Sequence, residues 1–270
     1  MGAIGDHDPD GMELEQNMTR IALAIHGGCG VMPEDSMTPE EWEGARHDLA
    51  AALRAGHALL KAGARAVDAV EAAVVVMEDS PHFNAGHGAA LNENGLHELD
   101  ASIMDGATLE AGAISASQAI RNPIKAARAL MEDGRAVFLT GPAADRFAEA
   151  KGLDVRPQSY FTKQKQVAAL AAMKAHAAEG TGKGEFFIRY VVGHEIASRV
   201  AYLKQDLASA TDGVVNRDLA PYHIGAGLVA IDTAGEIVAP YNTLGLVRGW
   251  VTPEGRAFVA THEKIYEVTR

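Results

Sequence analysis

The sequence has little cysteine and little positive charge. Cys29 is the only cysteine among 270 residues, which excludes an internal disulfide framework and a zinc site built from several cysteine thiolates. Lysine and arginine together number 24 against 36 aspartates and glutamates, so the net charge is −12. No block rich in lysine and arginine offsets this acidity, and a nucleic-acid partner is therefore not expected.

Long apolar runs are missing as well. No stretch approaches the ~18 consecutive apolar residues of a transmembrane helix, so no membrane association is expected. Residues 1–20 are acidic and rich in glycine, without the apolar segment of a secretory signal. We therefore expect a disordered tail there and a cytoplasmic protein. The length suits one large domain over residues 21–270.

The order of apolar runs and turn residues predicts a layered α/β domain with mainly antiparallel strands. Residues 21–25 predict a buried strand running into a glycine-rich loop at residues 26–30. Thr38-Pro39 is typical of a helix start. Further helices are expected near residues 64–77, 123–131, 142–150, 162–179 and 185–204, and strands near 98–104, 111–117, 136–140, 228–231, 236–239, 246–252 and 256–261.

Three motifs carry possible chemistry, each beside a simpler interpretation. The glycine-rich segment 26–30 suits an oxyanion, or is a tight turn. The loop 83–88 suits a weakly bound monovalent cation, or is purely structural. Glu98, Asp100 and Asp105 could act as an acid–base group, but carboxylates in such positions usually face solvent or cap turns. Taken alone, each motif favours the simpler interpretation.

The segment Gly180-Thr181-Gly182-Lys183-Gly184 lacks the Ser or Thr that follows Gly-Lys in a phosphate-binding loop. It also follows a predicted helix rather than a strand. A phosphate loop is therefore rejected. Histidine spacing gives no zinc motif, and no Gly-x-Ser-x-Gly segment is present.

Several motifs together resemble the plant-type asparaginase and isoaspartyl peptidase family of N-terminal-nucleophile hydrolases. No single motif decides this, but their number and order extend over most of the chain. The resemblance rests on Ile25-His26-Gly27-Gly28, Phe83-Asn84-Ala85-Gly86, residues 97–106, Asn122-Pro123-Ile124, residues 181–189, Pro240-Tyr241-Asn242-Thr243 and Arg248-Gly249-Trp250.

The resemblance implies a four-layer αββα sandwich, with residues 21–180 similar to the family's α-subunit and 181–270 to its β-subunit. It implies a chain that cuts itself before a threonine, whose freed hydroxyl then attacks the side-chain amide of asparagine or a β-aspartyl dipeptide. The new α-amine, with a pKa near ~8, serves as the base. A homodimer and no catalytic cofactor are expected on the same grounds.

Site residues follow from the same resemblance. Thr181 and Gly182 match the loop that contributes to the oxyanion hole, and Thr181, Gly182 and Gly184 are expected to contact substrate. Asn84 matches an asparagine near the catalytic centre. Backbone carbonyls are expected to hold a structural sodium ion at Met77, Glu78, Ser80, Phe83, Ala85 and His87.

The sequence departs from the family at one place. A Gly-Thr-Val-Gly strand with the nucleophile, and a Gly-Arg-Val-Gly-Asp segment that grips the substrate, are both absent. The central strands that they form are then missing too. Thr181 is either a new nucleophile after a Gly-Thr bond or only the oxyanion-loop threonine, and the residues that follow it favour the second interpretation. A catalytically inactive relative that binds or dimerises is the alternative.

Overall fold

The structure is a computed structural model and describes residues 21–30, 33–175 and 184–269. This part contains nine strands and nine α-helices. The strands are β1 (Leu23–Gly30), β2 (Leu99–Met104), β3 (Ala111–Ser117), β4 (Phe138–Thr140), β5 (Ala230–Ile231), β6 (Ile237–Val238), β7 (Gly245–Val251), β8 (Ala257–Ala260) and β9 (Ile265–Glu267). The helices are α1 (Pro39–Lys61), α2 (Ala66–Asp79), α3 (Pro123–Asp133), α4 (Pro142–Ala150), α5 (Gln158–Phe161), α6 (Gln164–Ala175), α7 (Gly184–Arg189), α8 (Val192–Leu203) and α9 (Leu207–Asp212).

Helix α1 begins where the sequence predicts. The Glu41 backbone N–H donates to the Thr38 hydroxyl at 3.2 Å, and the Thr38 N–H donates to the Glu41 carboxylate at 2.8 Å. This capping box satisfies two backbone donors that a helix start leaves without partners. Pro39 fills the first helical position, where no N–H is needed. The helix ends at Lys61, just before Gly63.

The strands form three separate sheets in the described part of the chain. One has the order β1-β7-β8-β9, a second β2-β3-β4, and the third is the hairpin β5-β6. All neighbours are antiparallel except β3 and β4. A mixed α/β fold with mainly antiparallel strands is thus confirmed, and the four-layer sandwich stays a prediction.

Each sheet buries one face against helices. Leu53 of α1 reaches β7, where a Cβ on Gly249 would lie 2.8 Å from its Cδ1. Helix α3 approaches β3 closely, since a Cβ on Gly112 would lie 2.2 Å from the Ala127 carbonyl oxygen. Ile196 of α8 belongs to a third buried cluster, which packs against the β5–β6 hairpin. Small residues therefore set how closely helix and sheet meet.

Two sequence predictions are wrong. Residues 26–30 are not a loop, because β1 continues through Gly30 and pairs with β7 along its length. The helix expected over residues 185–204 is interrupted, because Val191 adopts a left-handed conformation with φ 46° between α7 and α8. That conformation is unusual for a β-branched residue, so local helix propensity does not anticipate the break.

Candidate active site

A β-bulge in β1 organises the first wall of the candidate site. His26 pairs with Arg248 and Gly28 pairs with Val247, so Gly27 is the extra residue. Residues three apart in a regular strand face opposite sides of the sheet. The bulge shifts that alternation by one, and His26 and Cys29 both line the same cavity.

This β1 cavity has a volume of about 610 Å³. It lies between β1, the start of α7, the start of α8 and the segment that leads into β5. Gly184, the first described residue after the Thr-Gly-Lys segment, is part of its wall. The remaining lining residues are Phe187, Val192, Gly193, Ile196, Gly225, Gly227, Leu228, Val229 and Ala230.

Among the described residues of this wall, His26 alone carries an imidazole. The His26 side chain is exposed, but many protein atoms of the cavity surround its ring. This partial loss of hydration lowers the pKa of His26 below its usual value. The imidazole is therefore neutral near pH 7 and can accept a proton.

The loop after α2 packs directly on the bulge. A Cβ on Gly27 would lie 2.7 Å from Cδ1 of Phe83, so only glycine leaves room for the ring. The Phe83 side chain is almost fully buried there, with 3% of its surface exposed. The structure thus brings together two sequence motifs that are more than fifty residues apart.

Carbonyl oxygens converge on two glycines of the same loop. A Cβ on Gly88 would lie 1.9 Å from the Phe83 oxygen and 3.3 Å from the Ser80 oxygen. A Cβ on Gly86 would lie 2.3 Å from the Glu78 oxygen. None of these three carbonyls accepts a backbone hydrogen bond from a residue that the structure describes. Hard cations prefer such oxygen ligands, so the residues fit the expected sodium ion.

The other three expected sodium ligands lie around the same turn. The Met77 carbonyl accepts a hydrogen bond from the Ser80 N–H at 3.2 Å, and the Ala85 carbonyl accepts one from the Gly88 N–H at 2.9 Å. Each carbonyl oxygen keeps a second lone pair. The His87 ring stacks on Tyr160 at a centroid distance of 5.0 Å. Whether these residues bind a cation stays a prediction.

Side chains that the sequence did not single out hold this loop in place. The Ser80 hydroxyl donates to Asp48 Oδ2 at 2.7 Å, and His82 Nδ1 lies 2.8 Å from the same oxygen. Burial raises the pKa of Asp48, but these hydrogen bonds outweigh burial and the pKa is lowered overall. Asp48 is 34 residues away from His82, and no spacing rule signals that contact.

Glu78 is the buried carboxyl of this region, with 3% of its surface exposed. Its Oε1 accepts a hydrogen bond from the Ile124 N–H at 3.0 Å, at the start of α3. Burial dominates and raises the pKa of Glu78 to about 8. The side chain is therefore mostly protonated at neutral pH.

The predicted catalytic residues do not all share one cavity. Asn84 lines a second cavity, described below, where its Oδ1 accepts a hydrogen bond from the Ala90 N–H at 2.6 Å. Gly184 lines the β1 cavity. Thr181 and Gly182 lie outside the described residues. The catalytic roles of Asn84, Thr181 and Gly182 thus stay predictions.

The cluster of acidic residues has structural contacts. Asp100 Oδ1 accepts a hydrogen bond from the Ala116 N–H at 2.8 Å, and Asp105 Oδ1 accepts one from the Ala107 N–H at 2.9 Å. These bonds fix a strand and a turn, as the simpler interpretation predicted. Among the described residues, no group of three or more His, Cys, Asp or Glu side chains is arranged to hold a metal.

A family model described as asparaginase matches residues 19–179 and 167–260. The chain belongs to the asparaginase family. It is 30% identical to the isoaspartyl peptidase of Escherichia coli, over 86% of this chain and 93% of that protein. It is 47% identical to the isoaspartyl peptidase/L-asparaginase of Mus musculus, over 51% of this chain and 41% of that protein.

These comparisons identify the chain as a hydrolase. They also bear on the sequence departure noted above. The alignment with the Escherichia coli protein extends over 299 positions, which is more than the 270 residues of this chain. The sequence of this chain therefore contains gaps in that alignment. The asparaginase model matches the chain in two segments, and these overlap at residues 167–179, shortly before Thr181. No helix in the described ranges is long and apolar enough to cross a bilayer.

Proposed function

We propose that this asparaginase-family chain hydrolyses the side-chain amide of asparagine or the isopeptide bond of β-aspartyl dipeptides. The observation that carries the proposal is the position of Gly184 in the wall of the β1 cavity, beside His26 and Cys29. Thr181 is three residues before Gly184, and three extended residues reach at most about 11 Å. A nucleophile at Thr181 would therefore be within reach of this cavity.

Of the two interpretations of Thr181, this chemistry requires the nucleophile, although the residues that follow Thr181 resemble the oxyanion loop. It therefore needs a free amino terminus at Thr181. The α-amine removes the hydroxyl proton while Oγ attacks the amide carbon, and the carbon–nitrogen bond then breaks. Ammonia or an amino acid leaves with a proton, and an ester to Thr181 remains. Water attacks that ester and releases aspartate. Backbone N–H groups at Gly182 and in the glycine-rich wall would stabilise the oxyanion.

Other parts of the proposal come from the same family. The four-layer sandwich would form from the helices α1–α3, the sheets and the helices α7–α9. The carbonyls around Gly86 and Gly88 would hold sodium, which stiffens the loop that carries Phe83. The protein would act as a cytoplasmic homodimer with one domain over residues 21–270, and the tail expected at residues 1–20 lies outside the described residues.

Self-cleavage and hydrolysis test the proposal directly. Purified protein is incubated and its mass is measured, and ammonia release from L-asparagine and leucine release from β-aspartyl-leucine are followed. Cleavage before Thr181 and release of either product are expected. Thr181→Ala should abolish both, whereas Thr233→Ala in the exposed β5–β6 turn should change neither. An intact chain that releases no product would refute the proposal.

A second function is favoured by the gaps in the alignment. The sequence lacks the family's nucleophile strand and its Arg-Asp clamp, and the family match is split just before Thr181. We propose as the alternative a relative that binds the same ligands without turnover. An intact chain that is stabilised against heat by L-aspartate, and releases no ammonia, would support this alternative.

A further inference from the structure

A second cavity, of about 480 Å³, lies between α1, the loop 81–91 and α6. We call it the α6 cavity. Its volume is in the range of small-molecule sites. Most of its wall is apolar, and its apolar side chains are Met37, Pro81, Phe83, Ala90, Leu91, Ala169 and Leu170. No residue of this set belongs to the β1 cavity.

Hydrogen bonds and an ion pair connect the walls of the α6 cavity. Lys165 Nζ of α6 lies 2.9 Å from Glu41 Oε1 of α1. The Gln166 side-chain amide donates to the Ala89 carbonyl at 2.6 Å, which ties α6 to the loop. Gln166 Oε1 also accepts a hydrogen bond from the Lys163 backbone N–H at 2.6 Å. These contacts connect α6 to α1 and to the loop, and so hold the cavity walls together.

Lys163 supplies an uncompensated positive charge in this wall. Among the described residues, the lysine and glutamate side chains of the wall are Glu41, Lys163 and Lys165, and Glu41 and Lys165 form an ion pair. His82 also lines the wall, and its Nδ1 lies 2.8 Å from Asp48 Oδ2. No ion pair or hydrogen bond of the Lys163 ammonium with any other described residue is found. The side chain is half-buried, and burial lowers the pKa of Lys163. The wall is thus net positive in a chain whose net charge is −12.

We propose that the α6 cavity binds an organic monocarboxylate with an apolar body, whose carboxylate pairs with the Lys163 ammonium. The apolar body would fill the space between Phe83 and Leu170, where burial of apolar surface favours binding. A single lysine balances one negative charge, and the nearby Glu41 carboxylate disfavours a second. A zwitterionic amino acid is disfavoured too, because its ammonium group would be desolvated against apolar side chains.

The test of this site is a binding measurement, which does not require hydrolysis by the chain. Titration calorimetry on the full chain uses 4-phenylbutyrate and its neutral analogue 4-phenylbutyramide as probes. We expect the acid to bind more tightly than the amide. Lys163→Met should weaken binding of the acid by ~10- to 100-fold, the loss of one charge-assisted hydrogen bond, and should leave the amide unchanged.

Lys174→Met is the matched control, because Lys174 is exposed on α6, the helix that follows Lys163, and does not line the cavity. It should bind both probes like the parent chain. Ala169→Phe fills the cavity and should abolish binding of both probes. The proposal would be overturned if the parent chain bound the acid and the amide with equal affinity. It would also be overturned if Lys163→Met bound the acid as tightly as the parent chain does. Displacement of the acid by L-aspartate would instead assign this cavity to the hydrolase substrate.

Discussion

Gly88→Ala is a direct test of how the loop after α2 is built. The added Cβ would lie 1.9 Å from the Phe83 carbonyl oxygen, whereas ordinary contact begins at 3.4 Å. The loop would have to open by about 1.5 Å, and the obstructing atom is backbone, which cannot rotate away like a side chain. Overpacking of this kind costs about 1–3 kcal/mol, and we expect the upper half of that range.

The consequence is measurable by urea and by heat. A loss of about 2–3 kcal/mol in a chain of this size lowers the melting temperature by roughly 4–8 °C. Gly106→Ala is the control, because its Cβ would meet no atom within 4 Å and its backbone is not left-handed. That variant should change the free energy of unfolding by no more than about 0.5 kcal/mol.

Sodium adds a second measurement to the same pair of variants. If the carbonyls around Gly88 hold sodium, replacing choline chloride by sodium chloride should raise the melting temperature of the parent chain and of Gly106→Ala. In Gly88→Ala, the same replacement should not raise the melting temperature. Equal stability of Gly88→Ala and the parent chain would refute the close approach of Phe83. A normal sodium increment in Gly88→Ala would refute the placement of the ion.

Three further changes test other contacts of the fold. Gly27→Ala should destabilise the protein by about 1–3 kcal/mol in urea, because its Cβ would lie 2.7 Å from the Phe83 ring. Leu53→Ala should cost about 2–5 kcal/mol, because a fully buried side chain between α1 and Gly249 would be replaced by a cavity. Burial lowers the pKa of His97, so its neutral form stabilises the fold above pH 6.5 and that stability is lost as pH falls. His97→Asn should flatten the decline of the free energy of unfolding between pH 6.5 and 5, and an unchanged slope would contradict this.

Local signals in the sequence were sufficient for most element boundaries. Thr38, Pro39 and Glu41 specify the start of α1 within four residues, and the structure shows that capping box. Gly134 ends α3 in a left-handed conformation with φ 69°, as a glycine after a helix predicts. Helix starts and ends of this kind depend on residues that are close in the sequence, so they can be predicted from one sequence.

Contacts between distant segments could not be predicted in this way. The bulge at Gly27 depends on the register of β7, which lies more than two hundred residues later. The hydrogen bond between Asp48 of α1 and His82 of the loop after α2 follows no rule of sequence spacing. Lys163 belongs to no sequence motif, and its charge is relevant to ligand binding only because the opposite walls of the cavity are apolar. The sequence therefore identified the family and most elements, but not the cavities.

The charge of the whole chain has a consequence for substrate choice. Among the residues that the structure describes, no lysine or arginine lines the β1 cavity, and Arg248 of β7 pairs with His26 across the sheet. Arg248 is buried and donates through Nη1 to the carbonyls of Leu246 and His262, both at 2.9 Å. The described part of the cavity wall thus offers a ligand no lysine or arginine side chain to offset the net charge of −12 of the chain.

Two ligands of different charge distinguish electrostatic repulsion by the acidic chain from the other contributions to affinity. β-Aspartyl-leucine carries a net charge of −1 and L-asparagine carries none. The Debye length shortens from about 30 Å at 0.01 M salt to about 8 Å at 0.15 M, so salt screens the repulsion of the dipeptide. Its affinity should rise with salt, measured by calorimetry in the presence of choline chloride, while that of L-asparagine stays constant. If the affinity for the dipeptide instead falls as salt is added, an attractive basic group faces the ligand, and Arg248 is the first residue to test by substitution with methionine.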